Sequence, residues 1–263
     1  MKHMKTFVII GLSNLGIHLL EDLSRLDCQI IIIDTSKELI EEYDVISTES
    51  FVVEQFTKNA LKRIIPVDTD AVVIDFDDDL GKSALVTHYC NLLGLKEICV
   101  KTENRDDAEI LKTLGATKII FPSKDAARRL TPLLVSPNLS TYNIIGYDII
   151  VAETVIPKEY VGKTLYEADL RRERGITVIA VRNLSNSRYE FVDGDYFFLK
   201  DDKIVICGKP DSIENFTNNK DLIKDLISVS KEDENLNKDA EKKPRFVGIF
   251  NFMKIFQKDR KDN

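Results

Sequence analysis

Six short apolar runs alternate with stretches of helical periodicity through the first 121 residues, and this alternation narrows the possible folds more than any other feature. The runs are Phe7–Ile10, Gln29–Ile33, Phe51–Val53, Ala71–Phe76, Glu97–Lys101 and Thr117–Phe121. Between them lie Leu15–Leu26, Lys37–Tyr43, Ala60–Ile65, Lys82–Leu93 and Asp107–Leu114, the last two stopped by Gly94 and Gly115. Strands apolar along their whole length need helices on both faces of the sheet. Strand–helix–strand repeats close by right-handed crossovers into a parallel sheet. The first part of the chain therefore reads as a Rossmann-like, doubly wound parallel sheet of the α/β class.

The pattern changes after Pro122. Ser123–Val135 reads as one more helix, which Pro132 should kink or end. Ser136–Asn143 (SPNLSTYN) is polar and turn-rich and reads as a linker. Beyond it, Tyr147–Val155, Ile176–Val181, Tyr189–Val192 and Lys203–Cys207 are strand-like, with helices at Thr164–Leu170 and Ser212–Phe216. This is a small α+β unit, marginal alone by surface-to-volume scaling. The expected division is residues 1–140 with the connecting helix, 141–219, and a tail at 220–263. In the tail, Val229–Lys243 is polar. Residues 242–261 are basic, with Phe246, Ile249, Phe250 and Met253 on one helical face. That stripe, Phe246–Phe256, fits docking on a membrane surface or on a membrane partner.

Composition enters by exclusion. A formal net charge of −7 speaks against nucleic-acid binding, which needs a basic surface. No apolar run approaches the ~18–20 residues of a membrane span. Lys2 and Lys5 precede Phe7–Ile10, but Ser13, Asn14 and His18 interrupt the stretch that a secretion signal would require. The expectation is a cytoplasmic protein. Cys28, Cys90, Cys99 and Cys207 lack metal-ligand spacing and sit among apolar neighbours, as free buried thiols do.

The sharpest chemical signal is Gly11-Leu12-Ser13-Asn14-Leu15-Gly16, between the first strand and the first helix. In such a turn the first glycine permits the bend, the third position lets backbone approach a phosphate, and the last allows close helix–strand packing. Ser13 replaces the middle glycine. Asn14 can donate from its amide at the helix N-terminus, where free N–H groups favour an anion. Asp34 ends the second strand, where a carboxylate accepts ribose hydroxyls and argues against a 2′-phosphate. The competing role for Asp34 is capping the helix near Lys37. Asp75 and then Asp77–Asp79 follow the fourth strand at the same sheet edge. An anion there repels phosphate unless a cation intervenes, and the competing role is a solvated, helix-capping loop. Lys101, ending the fifth strand, is a candidate phosphate partner. His3, His18 and His88 have no evident catalytic partners, and no catalytic motif is present.

These stretches together resemble the RCK (TrkA-N plus TrkA-C) regulators of potassium transport, most closely the KtrA-type gating subunits. The resemblance runs through FVIIGLSNLG, IIIID, VKTEN, DAEILKTLGATKIIFP, LYEADLRRERGITVIAVR and DGDYFFLKDDKIVICG, covering about residues 5–217. It implies a regulatory subunit, not an enzyme. It also implies ATP or ADP bound by Gly11, Ser13, Asn14, Gly16, Asp34 and Lys101, with Asp75 beside them. The implied assembly is a homodimer built into an octameric ring, peripheral at the inner membrane face on a KtrB/TrkH-like potassium-channel subunit. In the second unit it implies cyclic di-AMP at Leu165, Tyr166, Asp169, Arg171, Arg172, Thr177, Val178 and Ile179. The chain departs from the pattern at Asn14 (often Arg), Asp75 (a small residue) and Ser123 (a Glu linked to divalent cations), so a metal site is left undefined. The alternative reading is an NAD-dependent oxidoreductase, which GLSNLG and Asp34 permit.

Overall fold

The computed structural model describes residues 4–145, 148–183 and 188–217. The tail from residue 218, including the Phe246–Phe256 stripe, lies outside the described residues. Contacts divide the chain after Phe121.

The first unit runs β1 (Lys5–Ile10), α1 (Asn14–Leu23), β2 (Cys28–Asp34), α2 (Lys37–Tyr43), β3 (Glu49–Val52), α3 (Lys58–Ile64), β4 (Ala71–Ile74), α4 (Leu80–Leu92), β5 (Ile98–Lys101), α5 (Arg105–Leu114) and β6 (Lys118–Ile120). The sheet order is β3-β2-β1-β4-β5-β6, every pairing parallel. The strand alternation splits the core in two. Val8, Ile10, Ile31 and Ile33 face one buried cluster with α3, α4 and α5, while Ile9, Ile30 and Ile32 face another with α1 and α2. The chain reverses direction across the sheet between β1 and β4, the position where open α/β sheets bind ligands.

The second unit runs α6 (Pro122–Val135), β7 (Leu139–Ile145), β8 (Ile149–Val155), α7 (Leu165–Ala168), α8 (Leu170–Arg174), β9 (Ile176–Arg182), β10 (Tyr189–Glu190), β11 (Lys203–Gly208) and α9 (Pro210–Thr217). Its sheet is antiparallel, in the order β10-β9-β11-β8-β7. Within it, buried Glu153 accepts hydrogen bonds from Arg182 at 2.9 Å and from the Tyr189 hydroxyl at 2.8 Å.

Three expectations change. The expected linker Ser136–Asn143 is largely β7, an edge strand whose Leu139 and Tyr142 enter the core while Thr141 and Asn143 face solvent. One solvated face and a register shift between Leu139 and Thr141 hid its alternation. α6 groups with the second unit rather than the first, because Leu133 packs on that core and Pro132 is buried. It also continues through Pro132 and stops one turn later. The single helix expected at Thr164–Leu170 is two: Asp169, at φ 38°, ends α7 and starts α8.

Candidate functional site

The β1–α1 turn is built as its spacing requires. Gly11 sits at φ +86°, and a Cβ there would collide with the Asp75 carbonyl. At Gly16 a Cβ would lie 2.8 Å from the Gly11 carbonyl oxygen and 3.2 Å from Ile9 Cγ2. Both glycines are thus demanded by close packing of turn, strand and helix. Ser13 precedes α1 but does not cap it, and Asn14 opens α1 with an exposed side chain.

The carboxylates around the turn hold it from three sides. Asp34, nearly buried, accepts from Leu12 N–H at 2.7 Å and from Ser36 N–H at 2.8 Å. The cap of α2 is the Ser36 hydroxyl, which accepts from Leu39 N–H, so Asp34 clamps the turn instead of capping the helix. Asp75, fully buried, accepts from Gly16 N–H at 2.9 Å and from Asp77 N–H at 3.3 Å. Asp77, at φ 50°, accepts from the Ser13 hydroxyl and, at 3.0 Å, from the Lys101 ammonium. Those two donors hold the Asp77 carboxyl below the usual carboxylate range. Burial pulls the Lys101 ammonium down, but the Asp77 hydrogen bond and the charges of Asp75, Asp77 and Asp78 outweigh it and its pKa is raised.

The acidic run divides by role. Asp79 caps α4, accepting from Lys82 N–H at 2.9 Å and pairing with the Lys82 ammonium at 3.2 Å. Its position just before a helix foretold that. Nothing local foretold the bond of Asp77 to Ser13, which depends on β4 lying beside β1. Among the described residues no three His, Cys, Asp or Glu side chains converge as metal ligands. A cleft of about 480 Å³ opens one strand over, between α4 and α5, sharing Asp77 and Lys101 with the turn and adding Ser83, Thr102 and Asn104. The sequence reading had not singled out those three.

In the second unit, six of the eight positions expected around a ligand come together. Leu165, Tyr166, Asp169, Arg171, Thr177 and Val178 line a cleft of about 320 Å³, floored further by buried Leu170 and Ile176. Arg172 and Ile179 do not line it. Ile179 is the residue skipped where β11 shifts register, from Val205 opposite Ala180 to Ile206 opposite Val178. A capping box fixes the cleft's first helix: Thr164 accepts from Glu167 N–H and Glu167 from Thr164 N–H. Arg174 is held by Tyr160 and Glu159, at 3.1 and 3.2 Å. Arg171 is exposed and has no ion pair among the described residues.

Residues 7–122 match the TrkA-N domain family model, and residues 150–221 match the TrkA-C domain family model. The chain belongs to the TrkA-N/TrkA-C (RCK) family. Among RCK relatives it is similar to Ktr system potassium uptake protein C of Bacillus subtilis (strain 168), at 26% identity over 68% of this chain and 80% of that protein. It is also similar to Ktr system potassium uptake protein A of the same strain, at 22% identity over 81% of this chain and 96% of that protein. The crystal structure of the GsuK RCK domain shares the fold with a TM-score of 0.57 at 13% identity, covering 82% of this chain and 48% of that one. The present chain thus spans about half of that solved RCK structure. The match boundary at 122 falls where contacts also divide the two units.

Proposed function

We infer that this protein is a ligand-sensing regulatory subunit of a membrane potassium uptake system, holding an adenine nucleotide as a signal without turning it over. The Ktr potassium uptake relatives support the potassium assignment. The observation that carries the nucleotide is the turn at Gly11–Gly16 set against Asp34 at the crossover between β1 and β4. Each Asp34 oxygen accepts one backbone bond and keeps capacity for a ribose hydroxyl. The second unit adds a site for cyclic di-AMP at the Leu165–Val178 cleft, where the Arg171 guanidinium meets a phosphate. Copies assemble as dimers into a ring on the cytoplasmic face of the channel subunit. A ligand moves that ring only by its differential affinity for two ring states; tenfold per site is about 1.4 kcal/mol.

Native mass spectrometry of the purified full chain tests the reading. The expected spectrum shows an even copy number, with ADP retained and chemically unchanged after incubation. A monomer that retains no ADP contradicts it, as does conversion of the nucleotide.

A further inference from the structure

Three donors that this turn would offer a phosphate are already taken by the chain's own carboxylates. Gly16 N–H goes to Asp75, Leu12 N–H to Asp34, and the Ser13 hydroxyl to Asp77. The Lys101 ammonium lies 3.0 Å from Asp77 and 3.8 Å from Asp75. Two carboxylates, Asp75 and Asp77, therefore share one ammonium at the place where a phosphate would bind. They differ in freedom. Asp75 is fully buried and tied to two backbone N–H groups, so it stays in place. The Asp77 side chain is 62% exposed, so it can swing out.

We propose that Asp75 and Asp77 set the charge selectivity of this crevice, admitting adenosine ligands with few phosphates and excluding the triphosphate. The proposal rests on the adenine-nucleotide reading above. Asp77 is the displaceable arm: a first phosphate takes over Ser13 and Lys101 as the arm leaves. Asp75 is the fixed charge that each further phosphate must approach, in a buried setting where like charges are weakly screened. Lys101 neutralises one carboxylate, not two. The adjoining cleft gives a longer phosphate chain no refuge, since Asp77, Asp78, Glu103 and Asp107 line it against Lys101 and Arg105.

Calorimetry of the full chain in metal-free buffer, with adenosine, AMP, ADP and ATP in turn, tests this on wild type, Asp75→Asn and Asp77→Asn. Asparagine at 75 keeps an acceptor for Gly16 N–H and loses the charge. The wild type should bind AMP about tenfold or more tighter than ATP. Asp75→Asn should raise ATP affinity about tenfold while adenosine stays within about twofold. Asp77→Asn should raise AMP and ATP affinity together, by about threefold. Wild-type binding of ATP as tight as AMP overturns the proposal, as does an ATP-to-AMP ratio unchanged in Asp75→Asn. If Asp75→Asn does not fold, the wild-type order and Asp77→Asn still decide. Absence of heat with adenosine and AMP in every variant overturns the nucleotide reading itself, and this proposal with it.

Discussion

In the first unit, the helix N-terminus at Gly11–Gly16 receives its negative charge from Asp34, Asp75 and Asp77 of the same chain. In the second unit, Arg171 stands at an open cleft with no ion pair among the described residues. One region has bonded three donors of its turn to its own carboxylates, and the other has left Arg171 without an ion pair among the described residues. The comparison teaches that a phosphate-binding turn is not by itself a measure of phosphate affinity. What counts is whether the donors must first be released from internal partners, since each exchange returns only the difference between two hydrogen bonds.

The largest expected effect lies in the open cleft. Arg171→Ala should weaken cyclic di-AMP binding about a hundredfold by calorimetry, because a bidentate guanidinium–phosphate pair supplies two charge-assisted bonds. The melting temperature should barely move, since the side chain is exposed. Equal heats in variant and wild type would dispose of that site. The next effect contrasts the two backbones. Gly11→Ala drives a Cβ into the Asp75 carbonyl and should cost about 3 kcal/mol, with hydrogen exchange placing the loss in the first unit. Gly194→Ala, beside the open cleft, meets Tyr166 Cβ at an ordinary 3.7 Å and should cost no more than about 0.5 kcal/mol. Similar losses for the two would erase the contrast in tightness.

The smallest effect is in pH. The Ser13 hydroxyl and the Lys101 ammonium hold the Asp77 carboxyl below its usual range. A carboxyl lowered in the folded state stabilises that state above its unfolded pKa of about 3.9. That contribution fades as pH falls through the lower folded value. The wild-type melting temperature should therefore drop more steeply than that of Asp77→Asn below about pH 4, and run parallel to it above about pH 5. Parallel curves throughout would show that the Asp77 contacts carry no net stability.

Much of this architecture was legible in the chain because its signals are local. Apolar runs, Gly94 and Gly115 stops and the Gly11–Gly16 spacing marked six strands of a wound sheet and its candidate turn. What escaped depends on distance along the chain. Ile10 pairs with Ile74, and this register brings Asp75 and Asp77 against a turn some 60 residues earlier. No local pattern encodes such a meeting, so Asp75 read as an acid near the turn rather than as the acceptor of Gly16 N–H. β7 escaped for another reason: an edge strand with one wet face and a register shift presents the same polar residues as a loop. The second cleft was gathered from family resemblance, and its register shift leaves Ile179 outside.

A crystal structure of the full chain grown in excess AMP tests the central claim most directly. The account predicts ribose hydroxyls on the Asp34 carboxylate, the phosphate on Ser13 and Lys101, and Asp77 turned away. A crevice left empty, with Asp77 still bound to Ser13 and Lys101, would contradict it.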